Sequence, residues 1–182
     1  MAIEVKFTLN DADLEHFRVV MKKAQGNIYR LNESSILENA KKLSSDVKES
    51  VPPFVSERLD KLETMVAIIE DGEWQIPDEE RSEVISALAY FSEPEDLVPD
   101  HIPVLGFLDD AIMIELVAAE FKDDIDAFEE FCAYRKREEG RAGDNTITRE
   151  EWLGAKRRDL HNRMRARRSS RRGEGSSFRS IF

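Results

Sequence analysis

Cysteine occurs once, at Cys132, so no internal disulfide can form and a reduced, cytoplasmic setting is expected. Histidine is nearly as scarce: His16, His101 and His161 stand far apart in unrelated contexts. One thiol and three scattered imidazoles offer no local pattern for tetrahedral zinc or for a cysteine–histidine nucleophile. Gly-x-x-x-x-Gly-Lys, Gly-x-Gly-x-x-Gly, His-Glu-x-x-His and Gly-x-Ser-x-Gly are all absent. Long apolar runs are absent too. The most apolar stretch, Val84 to Phe121, is interrupted by Glu93, Glu95, Asp96, Asp100, Asp109, Asp110, Glu115 and Glu120. Acidic side chains at a bilayer centre cost about 2.5–3.5 kcal/mol each, so this stretch reads as protein core and no transmembrane segment is expected. The opening MAIEVKFTLNDADLEHF has neither the basic nor the apolar region of a secretory leader. An enzyme could be built here only from carboxylates.

Charge is what the chain has in excess. Charged residues make up 36% of it, against about 25% in ordinary globular proteins, which implies long solvated helical faces. The net charge of −11 hides a split. From Lys156 onward there are ten Lys/Arg against Asp159 and Glu174, a balance of +8, which leaves −19 on residues 1–155. An acidic body repels phosphate, while the last segment attracts it.

Periodicity predicts an all-α helical bundle. Ile3, Val5, Phe7 and Leu9 alternate with polar residues and allow a short N-terminal strand. A helix capped by Asn10 or Asp11 carries Leu14, Phe17, Val20, Met21 and Ala24 on one face and ends at Gly26. A second runs from about residue 32 to 48 through Ile36, Leu37, Ala40 and Leu43. Pro52 and Pro53 open a third, through Val55, Leu59, Leu62, Val66 and Ile69. EWQIPDEE reads as a turn, with Asp78 placed to cap EERSEVISALAYF. One long helix is then expected from about Pro103 to Glu139, with Leu105, Leu108, Ile112, Leu116 and Ala119 as its buried stripe. GRAGDNTITREEW resembles the back half of an EF-hand loop, but its first and third positions would be Gly140 and Ala142, which offer no side-chain oxygen. Thr148 and Glu151 form a capping box for a last helix through Trp152, Leu160 and Met164. The organisation expected is a helical region over 1–50, a core over 51–140, a basic helix over 141–168 and a disordered basic tail over 169–182.

Within the core, DLVPDHIPVLGFLDD places a histidine and four aspartates among Leu, Val, Ile and Phe. Pro94 and Pro99 end the preceding helix, and Asp96 and Asp100 can accept from nearby backbone N–H groups. A Pro-rich helical hairpin is the expected result. Tyr90, Pro94, Asp96, Leu97, Pro99, Asp100, Ile102, Pro103, Gly106, Asp109 and Asp110 resemble the YkvA-like family, a bacterial domain of unknown function, over roughly residues 84–121. The resemblance implies no activity. Glu93 and Glu95 depart from its more apolar turn.

Two functional readings follow. In the first, the protein is a non-enzymatic interaction scaffold whose Arg157, Arg158, Arg163, Arg165, Arg167 and Arg168 bind a polyanionic or acidic partner. That partner could be nucleic acid, an anionic membrane surface or a protein, and the chain's own acidic body competes with all three. Removal of residues 156–182 is then expected to leave the fold intact. In the second, Asp96, Asp100, Asp109 and Asp110 hold Mg²⁺ or Mn²⁺ for carboxylate-dependent catalysis. The competing account of those aspartates has them capping the corner and pairing with Tyr90, Arg81 or backbone amides.

Overall fold

The computed structural model describes residues 6, 8–26, 31–47, 51–92, 107–140 and 148–171. Seven helices and no strand occur among them: α1 (Asp11–Gly26), α2 (Glu33–Val47), α3 (Pro53–Glu70), α4 (Asp78–Leu88), α5 (Leu108–Glu120), α6 (Lys122–Glu139) and α7 (Arg149–Arg171). A 3₁₀ turn, Ala89–Ser92, prolongs α4. The fold is all-α, as the periodicity predicts. Of the strand expected over residues 3–9, all but Lys6, Thr8 and Leu9 lies outside the described residues. Leu9 packs against the core.

Local signals placed most helix starts. Asn10 Oδ1 accepts from the backbone N–H of Ala12 at 2.8 Å and of Asp13 at 3.2 Å, while Asp13 returns an acceptor to the Asn10 N–H. Pro53 opens α3. Thr148 and Glu151 close their capping box at α7, with the Thr148 N–H donating to Glu151 Oε2 at 2.8 Å. Asp78 is a correction: Pro77 caps α4, and Asp78 is the first helical residue, with its charge at the positive end of the dipole.

The axis of the bundle is α3. Its Val55, Leu59, Leu62, Val66 and Ile69 are buried, Met65 and Ile68 widen the stripe, and both α2 and α5 pack against it. Both helices bordering the Pro-rich corner are buried, but α5 packs chiefly along α3, and α4 lies against α2 and α3. The corner itself, residues 93–106, lies outside the described residues.

The long helix expected over 103–139 is two helices. It breaks at Phe121, whose side chain is completely buried and whose backbone leaves helical geometry at φ −94°, ψ 17°. Asp123 and Asp124 then supply the negative first turn that a new helix favours. The buried face of α5 is also not the expected one. Met113, Ile114, Val117 and Ala118 are buried, while Ala119 is exposed and Ile112 and Leu116 are half-buried. Leu105 lies outside the described residues. Because α5 is apolar nearly all round, its spacing could not choose a face.

The last helix also runs further than expected. Ser169, Ser170 and Arg171, assigned from composition to a disordered tail, continue α7, and the Ser170 hydroxyl donates to the Ala166 carbonyl at 3.1 Å. Residues 172–182 lie outside the described residues. One hydrophobic cluster joins Phe17 of α1 to Leu153, Leu160 and Met164 of α7.

Candidate functional site

Helix α7 carries every arginine assigned to partner binding, and it is embedded in the body. Leu153, Leu160 and Met164 form its buried stripe, with α6 as its main neighbour. Charges bracket that stripe on both sides. Toward α6, Lys156 Nζ and Arg163 Nη2 both donate to Glu130 Oε1, at 2.6 and 2.8 Å. Those two bonds hold the Glu130 carboxyl below its ordinary range. Toward the opposite side, Arg157 Nη1 donates to the Glu73 carbonyl at 2.7 Å. Arg165 Nε and Arg168 Nη1 each reach Glu80 Oε1 at 3.0 Å, and Arg168 Nη2 reaches Glu83 at 2.6 Å.

Glu80 is the deepest of these acids. It stands in the first turn of α4 and is 1% exposed. Burial pushes its carboxyl upward, but the Arg165 hydrogen bond, its own backbone N–H and the Arg165 and Arg168 charges outweigh that and hold it below the usual range. Arg168 is itself 8% exposed. A cleft of about 120 Å³ opens beside them, lined by Glu79, Glu80, Arg165, Arg168 and Ser169.

The turn between α3 and α4 receives the other end of α7. Asp71 Oδ1 accepts from the N–H groups of Glu73 and Trp74 at 2.9 and 3.0 Å, which fixes the turn. Arg135 of α6 clamps Asp71 through both guanidinium nitrogens, at 3.1 and 2.8 Å, and also reaches Glu73. Arg149 grips Glu73 from the start of α7 at 3.0 Å. Burial would raise the Asp71 carboxyl; Arg135 and the two backbone donors lower it further than burial raises it. At the tip, Trp74 is fully buried, with ring centroids 5.2 Å from Phe131, 5.8 Å from Phe128 and 4.4 Å from His161.

The six arginines therefore differ. Arg157, Arg163, Arg165 and Arg168 are bonded to the chain's own carboxylates or carbonyls. Arg158 and Arg167 are exposed and make no ion pair among the described residues. Arg163 and Arg165 remain roughly half-exposed at the rim, whereas Arg168 is enclosed. Removal of residues 156–182 would take away Leu160, Met164 and Arg168, so it cannot leave the core as it was.

The four metal candidates are not all on view. Asp96 and Asp100 lie outside the described residues, as does His101. Asp109 and Asp110 occupy the first turn of α5 and are both buried. Among the described residues no group of three or more His, Cys, Asp or Glu side chains could hold a metal ion. Arg81, an expected partner of these aspartates, donates to the Ile69 carbonyl at 2.8 Å and pairs with Glu33.

This corner is where a family resemblance can be tested. Residues 81–116 match a family described as a protein of unknown function, DUF1232. The matched segment runs from α4 through the 3₁₀ turn to the middle of α5, and it contains the buried Val84, Leu88, Tyr90, Asp109 and Asp110. It excludes α7 and the turn at Trp74. No curated protein and no solved structure matches the chain. No helix of the described residues is long and apolar enough to cross a membrane.

The sequence reading overlooked Trp74 and Glu80, which organise the α7 contact. A tryptophan inside a short interhelical turn was the available signal, since so large a ring is seldom left in water.

Proposed function

We propose that the protein is a non-enzymatic helical scaffold that binds an acidic or polyanionic partner through the outer side of α7. The finer attribution of its DUF1232 segment, to the YkvA-like family, is part of this proposal. The observation that carries it is the unequal engagement of the arginines. Arg157 and Arg168 face inward and fasten the helix, while Arg158 and Arg167 are exposed without an ion pair among the described residues. Exposed ion pairs at the rim, such as Arg163–Glu130, hold with about 0.2–1 kcal/mol, so a multivalent anion can compete for them. In sequence, Arg172 and Arg179 continue the basic run.

The test is fluorescence anisotropy of a labelled single-stranded RNA, with anionic vesicles and polyglutamate as parallel probes, across a salt series. Arg158→Gln with Arg167→Gln is expected to lower the slope of log affinity against log salt by about 1.4 for RNA, at about 0.7 for each phosphate that the variant no longer neutralises. Absence of binding to all three probes at low salt, or identical slopes for variant and parent, contradicts the proposal.

The second reading is a Mg²⁺ or Mn²⁺ site for carboxylate-dependent catalysis, taking Asp96, Asp100, Asp109 and Asp110. It starts from Asp109 and Asp110, two adjacent acids that are buried together in the first turn of α5. Calorimetric titration with either cation decides: a saturable site abolished by Asp109→Asn supports this reading, and no heat of binding rejects it.

A further inference from the structure

His161 lies where α7 meets the α3–α4 turn. Its ring is edge-on to Trp74 at 4.4 Å and 81°. The indole is locked from behind by Phe128 and Phe131 of α6. Neither Trp74 Nε1 nor His161 Nε2 makes a hydrogen bond among the described residues. The charged groups facing the imidazole are Arg157 and Arg165 from its own helix and Glu80 from α4; the turn contributes the Trp74 backbone as a hydrogen-bond partner. One side chain thus touches the hub of the turn and stands between the two arginines that grip Glu73 and Glu80.

We propose that His161 is a proton-operated latch: when its imidazole is protonated against Trp74, between Arg157 and Arg165, α7 loosens from the α3–α4 turn and releases its inward arginines. The use of those arginines by an anionic partner rests on the function proposed above; the latch does not. A neutral imidazole fits a partly buried aromatic contact. An imidazolium there loses hydration and adds a third positive charge beside two guanidiniums, with Glu80 as the carboxylate opposing them. Burial, then Arg165 and Arg157, push the imidazole down to about 4 from its ordinary 6.5.

The sign follows from linkage. A base whose pKa is lowered on docking favours docking fully above pH 6.5 and progressively less as pH falls toward 4. Between pH 7 and pH 5 the ratio of docked to loosened α7 drops by about twentyfold if the loosened imidazole titrates normally. Glu80 stays ionised throughout that window, because its carboxyl is held below the ordinary range.

Amide hydrogen exchange of the intact chain at pH 7 and pH 5, corrected for the intrinsic rate, reads the latch without any anion present. Protection over residues 153–168 is expected to fall by about twentyfold, while α3 changes little. His161→Gln and His161→Asn should abolish that fall, and His161→Lys should show low α7 protection at both pH values. Equal protection changes in α7 and α3, or an undiminished fall in both neutral variants, overturns the latch. RNA binding at the two pH values is scored separately. If α7 loosens at pH 5 but RNA, anionic vesicles and polyglutamate all fail to bind at both pH values, the latch stands and the polyanion reading fails.

Discussion

A chain ending at Ala155 is expected to lose cooperative unfolding, or to melt about 10–20 °C below the full-length protein. Each buried Leu or Met contributes about 1.5–3 kcal/mol, so losing Leu160 and Met164 removes about 3–6 kcal/mol. The same cut uncovers Trp74 and leaves Glu80 without Arg165 or Arg168. Domains are stable by about 5–15 kcal/mol in total, and at this size each kcal/mol is worth about 2–4 °C. Thermal melts followed by circular dichroism measure the difference. The opposite result, a midpoint within a few degrees of the parent, would make α7 the detachable arm that composition alone suggested.

Glu80→Ala is expected to destabilise by about 1–3 kcal/mol, because it takes the deepest carboxylate from the enclosed Arg168 guanidinium, which keeps Glu83 as its second partner. The size of that loss does not measure the worth of the pair. Desolvating both ions costs nearly as much as their attraction returns, so Glu80→Leu combined with Arg168→Met should recover most of the stability. Urea titration of Glu80→Leu, Arg168→Met and the double variant gives the cycle. A small effect of Glu80→Ala alone would mean that Arg168 reaches water and that Glu80 does not anchor α7.

Much of the bundle was legible because helix signals are local. The Val55-to-Ile69 spacing gave the inner face of α3, and Asn10, Pro53 and Thr148 marked helix starts through groups within three residues of themselves. The failures share a physical origin. The kink at Phe121 and the buried side of α5 depend on where α3 lies, and an all-round apolar helix carries no record of that. The arginines of α7 were legible as charge but not as partners, because Glu73, Glu80, Glu83 and Glu130 are between 33 and 85 residues away in sequence. Composition identified a cationic segment and an acidic body. Only packing shows that they face each other, with an apolar stripe between.

Whether α7 belongs to the core is most directly read from amide exchange at neutral pH across the whole chain. Residues 153–168 should exchange within about tenfold of α3 and α6 at neutral pH, since Leu153, Leu160 and Met164 belong to the same hydrophobic core as the buried stripes of those helices. Complete exchange of α7 within seconds, with α3 and α6 still protected, would show a helix lying loosely on the surface and would contradict the account.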